Sequence, residues 1–196
     1  SFRDIFGESI EISGNAIATG VREAGLIAVG GRKLTLSSSE VESYEVLALD
    51  VASQVLSPSR RDTLIPCRAR NESAFDGECA REFIGTVGLH LFRRPLSEDE
   101  IGSFSSMASS ATDSLGGFYT GLQAALVGMM VSPEFLFRIE RSVPSAEAPG
   151  MRRLDAWSRA SRLSFFLWNT TPSPCLLYTS PSPRDQRGSA VAGGGW

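Results

Sequence analysis

The 196-residue chain has one histidine, His90, and one lysine, Lys33. A single imidazole excludes multi-histidine metal sites. It also excludes any Ser-His-Asp arrangement in which His90 is not the base. The three cysteines, Cys67, Cys79 and Cys175, include no C-x-x-C pair, so zinc-ribbon and dithiol redox motifs are absent. No C-x-x-C-H occurs, so this segment attaches no c-type haem covalently. No run of about 18 apolar residues exists, and with it goes any transmembrane helix. A basic excess is missing too: 19 Lys and Arg face 22 Asp and Glu, a net charge of −3 and a pI near 5.3. A nucleic-acid-binding domain would carry a basic footprint instead. The chain opens at Ser1 without a basic stretch followed by an apolar one, so no signal peptide is visible. The natural N-terminus is expected to lie upstream.

What is present is ordinary globular material. The chain is 42% hydrophobic, 21% charged and 9% aromatic, and a chain of this length buries roughly 70% of its unfolded surface. Apolar residues recur at three- and four-residue spacing through most of it. Residues 1–7 read as a helix end stopped by Gly7. Residues 8–36 have weak periodicity, and Leu26–Leu36 is either a hairpin on Gly30-Gly31 or an irregular loop. Ser39 and Glu42 suggest a capping box for a helix over 40–56, and 57–75 reads as a loop. Helices follow over 76–93, ended by Pro95, over 98–111, opened by the capping box Ser97/Glu100, and over 114–131. Ser132-Pro133 begins a short helix. Residues 142–151 read as a loop, and Asp155 caps a helix over 156–168. The expected fold is all-α, five or six helices with an irregular N-terminal segment.

Periodicity stops after Trp168. Four of the ten prolines and four of the nineteen glycines fall in the last 25 residues. The stretch Cys175–Asp185, CLLYTSPSPRD, is similar to translated sequencing-adaptor text, so 173–196 is expected to be a non-native tail that packs on nothing. Without it 17 basic and 21 acidic residues remain, and the charge argument stands.

Cys67 and Cys79 flank a polar, glycine-containing loop. They are either two unrelated thiols or a disulfide closing that loop; the bridge is the reading carried forward, and it would stabilise by roughly 3 kcal/mol through loop-closure entropy. Arg93 and Arg94 stand before Pro95, where a guanidinium can meet helix-end carbonyls or a carboxylate. Both are structural ion-pair candidates, with Glu140 or the acidic first turn Glu98–Glu100 as partner. Arg162 belongs to a similar set with Arg138, Glu140 and Arg159. His90 reads as packed near a helix C-terminus. Phe135, Phe137, Phe165, Phe166 and Trp168 read as core aromatics. No catalytic residue, cofactor site or metal site emerges.

Three segments carry a resemblance: Cys79-Ala-Arg-Glu-Phe-Ile with Phe92-Arg-Arg-Pro-Leu-Ser-Glu-Asp-Glu; Leu126–Glu140 with Ser132-Pro-Glu-Phe-Leu-Phe-Arg-Ile-Glu; and Leu154-Asp155 with Ala160-Ser-Arg-Leu-Ser-Phe-Phe-Leu-Trp168. In this order they resemble the large secreted, planctomycete-type bacterial proteins built from several domains of unknown function, often beside a cytochrome c-like haem domain. The resemblance implies export to the periplasm or beyond, a helical build, and any haem in another part of the full-length protein. It implies partners among the other domains of the same polypeptide. It supplies no catalytic residues. The implied organisation is the end of an upstream module at 1–37, a helical domain at 38–141, a further helical module beginning at 142–172, and the tail at 173–196. Two functions are in view: a non-catalytic scaffold or interaction region, and part of an exported hydrolase or oxidase acting on polysaccharide.

Overall fold

The computed structural model describes residues 2–12, 37–145 and 148–179. Among these residues the fold is mostly α, with nine helices and one two-stranded sheet. The chain divides into two compact units, Ser1–Phe137 and Arg138–Trp196. The hairpin considered at Leu26–Leu36 lies outside the described residues.

In the first unit the helices are α1 (Phe2–Phe6), α2 (Ser38–Val55), α3 (Arg61–Leu64), α4 (Gly77–Phe92), α5 (Glu98–Leu115), α6 (Phe118–Val131) and α7 (Pro133–Leu136). The organising element is α6, whose sequence FYTGLQAALVGMMV contains no charged residue. A helix apolar all round must be covered all round, and α2, α4, α5 and α7 all pack on it. Phe118, Leu122, Ala125, Leu126, Met129 and Met130 are buried along its length. Against them lie Val51, Ala52 and Val55 of α2, Phe83, Ile84 and Leu91 of α4, and Ala108 of α5, within one continuous core.

The break between α5 and α6 falls later than its expected place at 111–114. Gly116 and Gly117 take φ of +73° and +101°, a region glycine enters without steric cost, so α5 runs on to Leu115. The two helices then approach closely. A Cβ on Gly121 would overlap the Thr112 hydroxyl and the Ala108 carbonyl.

The capping box of α2 is Ser37/Glu40, not Ser39/Glu42. Ser37 Oγ accepts from the Glu40 N–H, and the Glu40 carboxylate accepts from the Ser37 N–H at 2.7 Å. Three consecutive serines offer the motif twice, and the earlier box adds residues to the helix. The box at Ser97/Glu100 forms as read. The 57–75 loop contains the single turn α3.

In the second unit, α8 (Ala156–Trp168) starts on Asp155, whose carboxylate accepts from the Ser158 N–H at 2.6 Å. The expected loop at 142–151 is instead part of a hairpin: β1 (Ser142–Pro144) pairs antiparallel with β2 (Arg152–Leu154), Val143 opposite Arg153. Three-residue strands are too short to show alternation in the sequence.

Two expectations fail here. Residues Pro174–Thr179 form α9, which contacts α8, and Leu177 is fully buried. The start of the supposed tail therefore does pack. The Ser173 carbonyl accepts from the Leu177 N–H at 3.0 Å, giving the turn a beginning that its proline-rich composition hid. Nor are the aromatics uniformly core. Phe135 is half-buried, with its ring 5.3 Å from Phe2, but Phe137, Phe166 and Trp168 are exposed, the last two by 73% and 63%. The buried face of α8 is made of small residues, Ser158, Ala160, Ser161 and Ser164.

Candidate functional site

The sequence-selected residues assemble into one corner in the first unit and one cluster in the second. The corner begins where α4 ends. Arg93 closes that helix in the left-handed conformation, φ 59°, which costs a residue with a Cβ roughly 1–2 kcal/mol. The bend aims its side chain inward, leaving the residue 7% exposed. The guanidinium donates to three carbonyls at the end of α7: Phe135 at 3.3 Å, Phe137 at 2.9 Å, and Glu134. Such carbonyls have no intrahelical donors, and five N–H groups in a fixed fork suit them.

Arg94 turns the other way. Its guanidinium donates to both carboxylate oxygens of Glu100, at 2.6 and 2.8 Å, and lies 3.2 Å from a Glu134 carboxylate oxygen. Its stem leaves the guanidinium over the Phe92 ring at 5.6 Å. The Arg94 Nε is buried without a hydrogen-bond partner. Glu134 is thus held twice, by its carbonyl from Arg93 and by its carboxylate from Arg94. Two consecutive arginines of one helix end grip a four-residue helix about forty residues later.

The electrostatics follow from these contacts. The Arg94 hydrogen bonds, with those from Ser97, hold the Glu100 carboxyl down at about 2 despite partial burial. The Glu100 hydrogen bond in turn raises Arg94. A general acid or base works best with a pKa near the operating pH; Glu100 is held far below it and Arg94 is raised further above it. His90, half-buried in the last turn of α4, has its imidazole pushed below 6.5 by burial. The corner is suited to joining α4, α5 and α7 rather than to moving protons.

The carboxylate partners of Arg94 are Glu100, which the sequence suggested, and Glu134, which it did not. The signal for Glu134 was available: Ser132-Pro133 starts a helix, which places residue 134 in its first turn. Glu140, the other suggested partner, lies in the second unit. There Arg162 donates to both its oxygens at 2.9 and 3.1 Å, and Arg138 Nε stands 3.7 Å away. The Arg162 side chain is 60% exposed, so this pair is worth under about 1 kcal/mol.

Cys67 and Cys79 are bridged, their Cα atoms 5.5 Å apart. The bond ties the 57–76 segment to the first turn of α4. Cys175 is a free, exposed thiol. In the second unit a partly open cavity of about 380 Å³ is lined by Ser164, Trp168, Thr171, Ser173, Cys175 and Leu176, among others, with no charged group on its wall. Among the described residues no cluster of three or more His, Cys, Asp and Glu side chains is placed to hold a metal ion, and no helix is long and apolar enough to cross a membrane.

The corner, with Arg93, Arg94, Glu100 and Glu134, sits inside one recognisable stretch. Residues 79–140 match the family model PSD5, described as a protein of unknown function (DUF1595). The PSD5 match begins at the bridged Cys79 and ends at Glu140. Cys67, the hairpin and α8 fall outside it. No curated protein and no solved structure matches the chain. The PSD5 segment runs from Cys79 in the first turn of α4 through α7, so both the helix that fills the core and the corner that locks its neighbours lie within it.

Proposed function

We propose that the chain is a non-catalytic helical scaffold within an exported, haem-linked multidomain bacterial protein, and that α8 docks it onto another domain of the same polypeptide. In this reading 38–141 is the helical domain and 142–172 opens a further helical module.

One observation carries the docking role. Leu163, Phe166, Leu167 and Trp168 are 47%, 73%, 54% and 63% exposed. Positions 163, 166 and 167 share one helix face, while the buried residues of α8 are the small Ser158, Ala160, Ser161 and Ser164. This inverts the ordinary arrangement of an amphipathic helix. Contiguous exposed apolar surface marks interaction sites, and aromatic and arginine side chains are the residues enriched there; Arg159 and Arg162 belong to the same helix. The disulfide is compatible with an oxidising, exported setting. For a polysaccharide-acting hydrolase or oxidase, by contrast, no observation on the described residues speaks: the one strongly displaced carboxyl, Glu100, is committed to Arg94 and Ser97.

Photo-cross-linking in the full-length exported polypeptide tests this. A photoreactive residue replacing Phe166 is expected to cross-link to another domain of the same chain, and one replacing the exposed Arg68 is not. Equal cross-linking from both positions, or none from 166, would overturn the proposal.

A further inference from the structure

The Cys67–Cys79 bridge closes a segment that reaches across the first unit to the core helix. From Pro66 to Ala74 most residues are exposed, and Ile65 is the buried anchor on its near side. At the far end the Glu72 carbonyl accepts the Phe118 N–H at 2.7 Å. That N–H is the first of α6, whose N-cap, Gly117, has no side chain to offer. A second tie is Arg61, which pairs with Glu72 at 2.9 Å and lies over the Tyr119 ring at 4.0 Å. A third is Phe75, whose ring centroid is 6.4 Å from that of Phe118. The strap thus caps α6 from outside, with one covalent bond and a few partly exposed contacts.

We infer that this disulfide is a redox-sensitive latch: in the oxidised protein it holds residues 66–76 on the N-terminus of α6, and its reduction releases them while the helical core stays folded. The inference goes beyond the docking role of α8 and rests on a different unit. Segments with few buried apolar contacts open locally at a fraction of the global unfolding free energy, and a bridge suppresses such opening by limiting the open ensemble. Exposure sets the direction of attack. Cys67 is half-buried and Cys79 is buried. A dithiol reductant attacks as its thiolate at Cys67 Sγ, breaking the S–S bond and expelling Cys79 as a thiolate that takes up a proton. The second thiol of the reductant then displaces Cys67 from the mixed disulfide. Two electrons and two protons pass to the protein, leaving two thiols, and the reductant leaves as its own disulfide.

Releasing the strap removes the acceptor of the Phe118 N–H and exposes one side of the Phe118 ring. The oxidation state of a surface loop is thereby read out at the start of the most buried helix.

Amide hydrogen exchange on the full chain, with and without dithiothreitol, tests this. Iodoacetamide reports reduction by labelling all three cysteines instead of Cys175 alone. On reduction, exchange at the Phe118 amide is expected to rise about tenfold or more, as for a local opening, with the Ala108 amide in α5 unchanged. Reoxidation should restore the slow rate. Three results would each overturn the latch: full labelling with Phe118 exchange unchanged; Phe118 and Ala108 accelerating together, which is global unfolding; or Cys67 and Cys79 reacting only when denaturant is added.

Discussion

Arg93 donates from its guanidinium to the Phe137 carbonyl across 2.9 Å, joining two residues 44 apart in the chain. The contact is made from a backbone conformation that the Cβ of Arg93 disfavours. The left-handed turn is tolerated because the buried fork it creates satisfies three carbonyls.

Replacing that fork should therefore cost more than an ordinary surface change. Arg93→Ala is expected to destabilise by about 3 kcal/mol, because hydrogen bonds to a charged donor are worth about 1.5–3 kcal/mol and the part-buried carbonyls left without a donor add to the loss. Arg93→Lys should recover little, since an ammonium cannot address three carbonyls in a plane. Arg93→Gly should be milder than Arg93→Ala by about 1 kcal/mol, the left-handed strain being relieved. Urea unfolding of the three variants ranks them, and a neutral Arg93→Ala would remove the structural role.

Acid should weaken the same corner through Glu100. Its carboxyl is held at about 2 in the folded protein against an ordinary 4.5. A depressed folded value means stability that is complete above about 4.5 and lost as pH falls toward about 2. Glu100→Gln should lower stability at pH 7 and flatten the decline between those limits. Denaturant midpoints at pH 7, 4 and 3 check it. A wild-type slope that survives in Glu100→Gln would assign the acid sensitivity to other groups.

The close crossing of α5 and α6 has no room for a methyl group. Gly121→Ala would drive a Cβ into the Thr112 hydroxyl and the Ala108 backbone carbonyl. Overpacking of this kind typically costs about 1–3 kcal/mol, against a small helix-propensity gain. Gly85→Ala, where a Cβ meets nothing within 4 Å, is the control and should be neutral or slightly stabilising. Thermal unfolding of both separates packing from propensity.

Much of the helical fold was legible because its signals are local. Ser97 and Glu100 close their box within one turn, Asp155 caps α8, and Pro133 starts α7; each needs only residues three or four apart. The Cys67–Cys79 pairing was legible as one of two readings from spacing alone. What was not legible depended on distance or on covering. Arg93 was read toward the end of its own helix, yet it caps α7, because nothing local specifies which carbonyls lie across the corner. The apolar residues of α8 have core periodicity, and only the structure shows Phe166 and Trp168 outside. Leu177 was hidden by its proline-rich neighbours, and its burial corrects the view that the chain beyond Pro174 packs on nothing.

The docking role of α8 predicts that its exposed side chains stabilise nothing until a partner domain covers them. The most direct measurement is the melting temperature of the double variant Phe166→Ser/Trp168→Ser, taken in this chain and again in the proposed full-length multidomain protein. The expected result is an unchanged melting temperature in this chain, where both residues are largely in water, and a lowered one in the full-length protein. A drop of several degrees in this chain, or no change in either, would contradict α8 as a docking helix.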